Sequence, residues 1–189
     1  SKIGDTEETE RKLSSHQLKY LRYKLIDPSY PGKARNIGVE ISKSEWIAFL
    51  DQSTLPSEEW LESLIKASDN GRYKFVGGLR TSVADTRYKK ILKASTYGNA
   101  PAKSLAGSLV SREIFISSKG FLPDVRAGED WEWINRIPES EVIWLKKPFI
   151  IYSGLSSSLI EAVKKWFRYS FASSKVDVVY VQKFFYFLI

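Results

Sequence analysis

Cysteine and methionine are absent from these 189 residues, and histidine occurs once, at His16. Without thiols there is neither a disulfide nor a thiolate metal centre, and one imidazole cannot by itself build a histidine-based zinc site. A divalent metal would have to be held by carboxylates, which favours magnesium or manganese. Also lacking are an apolar run of membrane-spanning length, an internal repeat and a low-complexity tract. The opening stretch, SKIGDTEETERK, is too polar to read as a secretory signal. The closing FFYFLI stops in mid-hydrophobic pattern, so the chain reads as a piece of a longer protein.

What is present suffices for one α/β domain, because 43% hydrophobic residues supply a core. Lys and Arg number 29 against 22 Asp and Glu, and the resulting net charge of +7 favours an anionic partner. Nucleic acid, a phosphate-bearing small molecule and an acidic membrane surface all qualify. The basic residues are interleaved with acids and no nucleic-acid-binding motif occurs, which argues against nucleic acid.

Hydrophobic periodicity predicts an alternating order of elements. Asp5 and Thr6 cap a first helix, and YLRYKLID alternates as a strand. After Pro31 and Gly32, KARNIGVEISK carries Ala34, Ile37 and Ile41 at helical spacing. EWIAFLD is short and nearly all apolar, as in a parallel strand covered on both faces. Pro56 and Ser57 open a helix through Ile65, closed by Asn70 and Gly71, and YKFVGGL is the next strand. Residues 80–103 read as loop with one helix around TRYKKILKAS. GSLVS is a short strand, REIFISSKG a short helix ended by Gly120, and RAGEDWEWINRI a helix with Trp131, Ile134 and Ile137. EVIWLKK and FIIY read as strands, and from Ser157 the chain is helical through SLIEAVKKWFRYSFASSK and VDVVYVQKFFYFLI. This rhythm is that of a doubly wound layer, in which ligands bind beyond the carboxyl ends of strands.

Three constellations can carry chemistry. Asp51 ends an apolar strand, where it can bind a metal or a ribose hydroxyl, or equally cap the helix near Pro56. Glu129 and Asp130 begin a helix, either as ordinary first-turn acids or as a carboxylate base for a hydroxyl nucleophile. In PGKARN, Gly32 permits close backbone approach, and Lys33 and Arg35 add charge suited to phosphate. A solvated basic turn is the plain alternative, disfavoured because cations there oppose the helix dipole.

The stretch PGKARNIGVEISKSEWIAFLDQSTLPSEEWLESLI resembles the middle of family 2 glycosyltransferases of the GT-A fold: an Ala-Arg-Asn-x-Gly helix, an apolar strand, a DxD-type motif and a helix with a Trp-Leu pair. AGSLVSREIFISSKGFLPDVRAGEDWEWINRI resembles the acceptor half of that family, so the likeness runs from Pro31 to Ile137 in family order. The fold this implies is α/β, GT-A-like and Rossmann-like, with a mixed, mostly parallel sheet flanked by helices and with C-terminal helices. Residues 1–155 would form a catalytic domain lacking its N-terminal nucleotide-binding strand, and residues 156–189 amphipathic helices. The implied activity is inverting sugar transfer from a nucleotide-sugar donor to a hydroxyl of a glycan or lipid-linked acceptor, in polysaccharide or glycolipid synthesis. Asp130, with Glu129 beside it, corresponds to the general base. Asp51, Lys33, Arg35, Asn36 and Ser53 correspond to the donor side, and Gly107, Arg126 and Trp131 to the acceptor side.

One departure bears on the cofactor. Ser53 stands where the second acid of the DxD-type motif is expected, leaving Asp51 as the metal candidate for Mg2+ or Mn2+. A non-catalytic relative that binds a nucleotide-sugar or glycan is therefore the alternative. In KKWFRYSFASSK, Lys164, Lys165, Arg168 and Lys175 mix with Trp166, Phe167, Tyr169 and Phe171, the composition of a membrane-interface helix. The expected location is the cytoplasmic face of a membrane. The whole reading requires the acids at 51 and 130 to converge on one cleft.

Overall fold

The computed structural model of the chain describes residues 11, 26–27, 29–173 and 176. The expected helix after Asp5, most of the YLRYKLID strand and nearly all of VDVVYVQKFFYFLI lie outside the described residues.

Helix α1 (Pro31–Ile41) begins with proline at its first position, where the missing N–H is no loss. Its last turn carries no basic residue of its own. Arg112, distant in sequence, closes that end by donating to the carbonyls of Val39, Ser42 and Ser44 at 3.0, 2.6 and 2.8 Å. Gly32 is buried against the chain that follows Gly120, and a β-carbon there would come 2.3 Å from the Leu122 carbonyl oxygen. The close approach this glycine allows is thus to the protein's own backbone.

Strands β1 (Trp46–Phe49), β2 (Thr54–Pro56), β3 (Phe75–Ser82), β4 (Ala102–Ser111), β5 (Val142–Trp144) and β6 (Ile150–Tyr152) form one sheet in the order β1-β4-β3-β6-β2, with β5 also on β3. β5 and β6 succeed one another along the same edge of β3, opposite Phe75 to Gly77 and Arg80 to Ser82 respectively.

The expected mostly parallel sheet is corrected. β1 with β4, β3 with β4 and β2 with β6 are antiparallel, and only the pairings of β3 with β5 and β6 are parallel. The ten-residue β4 runs back between β1 and β3, twice the length expected from GSLVS. Apolar runs report burial and carry no information about strand direction, so EWIAFLD could not announce an antiparallel neighbour. Within β1, Ala48 is exposed.

Where the register of β3 and β4 shifts between Val76 and Gly78, buried Ser108 repairs the ladder. Its hydroxyl accepts from the Gly78 N–H at 2.9 Å and donates to the Ser104 carbonyl at 2.8 Å. A bulge that would orphan buried backbone groups is thereby satisfied.

Helix α2 (Trp60–Ala67) starts later than expected, because Pro56 ends the unexpected strand β2 at the rim of the sheet, where proline is tolerated. It ends at Ala67, and the turn that follows carries the expected Asn70 and Gly71, both at positive φ. Trp60 and Leu64 of α2 pack with Val76, Leu109 and Ile150 on one sheet face. The other face holds the larger core, in which Phe49, Phe75, Phe115, Phe121 and Trp133 meet with centroids 4.8 to 6.1 Å apart. This core sits under α1, α4 (Arg112–Ser117) and α5 (Glu129–Ile134). Between β3 and β4 lie α3 (Arg87–Leu92) and a π turn, where one helix was expected.

The last described helix, α6 (Leu159–Ser173), turns Ala162 and Ala172 inward and leaves Ile160, Val163, Phe167 and Phe171 exposed. Lys165 points back to the body, donating to the Tyr152 hydroxyl and the Gly154 carbonyl.

Candidate active site

β1 ends at Phe49, and Asp51 opens a tight turn whose Thr54 N–H and hydroxyl both bond the Asp51 carbonyl, at 3.0 and 2.6 Å. The turn leaves the Asp51 carboxylate 45% exposed and aimed at α1. Across the gap, Gly128 adopts φ +90°, a conformation that favours glycine, and starts α5 with Glu129 and Asp130 in its first turn.

Arg35 of α1 joins the two. Its Nη2 lies 3.1 Å from Asp51 Oδ1 and its Nη1 2.6 Å from Glu129 Oε1. The guanidinium also lies 5.7 Å from the centre of the Phe121 ring. Arg35 thus reaches an acid 16 residues away and another 94 residues away in the chain. Asp51 and Glu129 are brought to one place, and Asp130 follows Glu129 in the first turn of α5.

Burial decides how the adjacent acids differ. Glu129 is 4% exposed; burial, and then the negative charge of Asp130, push its carboxyl above the usual range, while its own backbone N–H and Arg35 pull back only part of the way. Burial lowers the Arg35 pKa, but Asp51 and Glu129 together outweigh it, and the guanidinium is held more firmly charged than usual. Asp130 is half-buried and its Oδ1 accepts from the Trp131 N–H at 2.9 Å, leaving its remaining oxygen sites for other partners. Glu129 is buried against the protein and Asp130 is only partly so.

The other predicted residues are placed as follows. Lys33 is exposed on the first turn of α1, which contains no acid. Asn36 uses both ends of its amide on Phe121, donating to the carbonyl at 2.8 Å and accepting from the N–H at 3.0 Å. Ser53 is half-buried, and its carbonyl accepts from the Ser153 N–H and hydroxyl. Gly107, at φ +89°, accepts the Trp60 indole N–H at 2.9 Å. Arg126 lines a cavity of about 300 Å3 with Tyr30, Asp124, Phe167 and Arg168, beside α6. Trp131 stacks on Trp144, a residue that sequence reasoning passed over as part of a strand. The signal that could have found Trp144 was a tryptophan followed by Lys146 and Lys147 at a strand's carboxyl end.

Among the described residues no three Asp, Glu, His or Cys side chains cluster as a metal-ligand set. Asp51 is already opposed by a cation and Ser53 offers a hydroxyl, so this donor set does not by itself fit Mg2+ or Mn2+.

The sequence matches the family description Glycosyl transferase family 2 over residues 4–121. That span includes Lys33, Arg35, Asn36, Asp51, Ser53 and Gly107 and stops before Glu129. No curated protein sequence matches. Among solved structures, S. aureus TarS 1-349 in complex with UDP-GlcNAc superposes with a TM-score of 0.59 at 12% identity, over 82% of this chain and 48% of that one. S. aureus TarS superposes at 0.55 and 14% identity, over 79% of this chain and 29% of that one. S. aureus TarS 1-349 superposes at 0.52 and 13% identity, over 79% and 48%. The chain spans about half the length, or less, of the structures it matches. The likeness carries the fold, a GT-A-like sheet flanked by helices.

Proposed function

This chain belongs to glycosyl transferase family 2, an inverting family, and we propose that it transfers a sugar from a nucleotide-sugar donor to a hydroxyl acceptor in polysaccharide or glycolipid synthesis. The observation that carries this is the Arg35 clamp, which joins Asp51, just past the end of β1, to Glu129 at the start of α5, with Asp130 the next residue along. Asp130 takes the acceptor hydroxyl proton as the oxygen forms its bond to the anomeric carbon. The bond from that carbon to the diphosphate breaks, and the leaving nucleoside diphosphate keeps the electron pair. Lys33 and the free N–H groups of the first turn of α1 stabilise that leaving charge. Glu129 is a positioning residue, holding Arg35 between the donor-side acid and the base. The uridine donor bound by TarS supports a nucleotide-sugar as the donor class.

Asp130→Asn tests the assignment. Transfer to acceptor falls by two to four orders of magnitude, on the order of a lost general base, while donor binding by calorimetry is retained. Transfer within tenfold of wild type would refute Asp130 as the base. Ser53 favours one other reading, a non-catalytic relative that binds a nucleotide-sugar or glycan. Donor binding without hydrolysis or transfer in the full-length protein would select it.

Membrane association rests on α6. Its outward stripe of Ile160, Val163, Phe167 and Phe171 is flanked by exposed Lys164 and Arg168, so an anionic bilayer surface complements it in both apolarity and charge. No helix among the described residues is long and apolar enough to cross a membrane. The contact proposed for α6 is interfacial, at a membrane surface where a lipid-linked acceptor would be met.

A further inference from the structure

Helix α5 carries two tryptophans with opposite fates. Trp133 is fully buried and anchors the core through Phe75, Phe115 and Phe121. Trp131, two residues earlier and so on another side of the helix, is 39% exposed. It stacks on Trp144 of β5 with centroids 5.9 Å apart and planes 27° from parallel.

The stack is built into the sheet. Gly77, opposite Trp144 in the register of β3 and β5, has no side chain. A β-carbon there would lie 2.2 Å from the Trp144 ring, so only glycine lets the indole lie over the strand. Phe75 meets the same ring edge-on at 5.5 Å. Trp131 follows Asp130 directly, and its N–H bonds the Asp130 carboxylate. An immobilised, partly exposed aromatic surface therefore adjoins the proposed base.

One cation lies against this surface and two more follow it in the chain. Lys103 Nζ of β4 lies 4.8 Å from the Trp144 ring centre, and exposed Lys146 and Lys147 follow Trp144 in the chain. Among the described residues none of the three lysines forms an ion pair with an acid. A rigid indole pair suits the apolar C–H face of a pyranose, whose hydroxyls stay in water. Lys103, with no acid paired to it, suits a carboxylate or phosphate on that sugar.

The resemblance puts Trp131 on the acceptor side; we propose that Trp144 completes it as a stacked platform and that Lys103 makes this platform select an anionic saccharide. This rests on the glycosyltransferase reading and adds the acceptor's class to it. Tryptophan fluorescence and saturation-transfer NMR on the full-length protein would compare three probes: trigalacturonate for carboxylate, a phosphorylated mannotriose for phosphate, and neutral maltotriose. At least one anionic probe binds better than maltotriose, by about fivefold, and Lys103→Gln abolishes that preference without changing maltotriose binding. Trp131→Ala weakens the anionic probe about tenfold, and Trp131→Phe restores most of it.

Calorimetry with the nucleotide-sugar separates the two claims. If wild type binds neither donor nor saccharide, the glycosyltransferase reading fails and the platform with it. If donor binds normally and saccharides either do not bind or bind wild type, Trp131→Ala and Lys103→Gln alike, the platform alone is overturned. Lys103 is exposed, so its variant reports on recognition even if Trp131→Ala fails to fold.

Discussion

Replacing Arg35 by methionine removes the cation between Asp51 and Glu129 while keeping most of the aliphatic stem. Asp51 is 45% exposed, so losing its half of the clamp costs between zero and about 1 kcal/mol. Glu129 is 4% exposed and cannot stay charged without a partner; it takes up a proton instead. That sets a ceiling. Protonating an ordinary glutamate at pH 7 spans about 2.7 pH units at about 1.36 kcal/mol each, or roughly 3.7 kcal/mol. At pH 5 the same span is about 0.7 units, roughly 1 kcal/mol.

The sign follows from the direction of the shift. An acid whose folded pKa is raised contributes stability below the unfolded value near 4.3, and that contribution is lost as pH rises through the folded value. Arg35 partly offsets this in the wild type, so Arg35→Met steepens the loss. Urea unfolding at pH 5 and pH 7 reads the difference: a penalty of about 2–4 kcal/mol at pH 7 that shrinks to about 1 kcal/mol at pH 5. The double variant Arg35→Met/Glu129→Gln recovers most of the pH 7 loss, because the uncompensated acid is gone. An equal penalty at both pH values would refute the reasoning.

Other outcomes follow from neighbouring features. Ser53→Asp supplies the missing acid beside Asp51 and increases the stimulation of transfer by Mn2+, measured against chelated enzyme; an unchanged metal response means that residue 53 does not face the diphosphate. Phe167, 75% exposed on α6, is the most exposed member of its stripe, and Phe167→Glu lowers co-sedimentation with anionic vesicles at least about tenfold while leaving the melting temperature in place. Gly77→Ala drives a methyl into the Trp144 ring, costs about 1–3 kcal/mol, and reduces the near-ultraviolet dichroism of the indole pair.

The amino-acid sequence determined most of the local elements and their order, strand β2 excepted. Proline at the start of α1, the apolar run of β1, the Asn70–Gly71 stop and the period of α6 each act within a few residues, so each was legible without neighbours. It also put acids at 51, 129 and 130 at element ends. Strand direction was a tertiary decision, because β4 inserts between β1 and β3 by pairing across long separations that burial patterns do not encode. The meeting of Arg35 with both Asp51 and Glu129 was decided there too, as was the division between a buried Glu129 and a half-buried Asp130. Two adjacent carboxylates are chemically alike along the chain. Only their burial, set by how α5 docks against α1, makes one a buried partner of arginine and leaves the other half-buried.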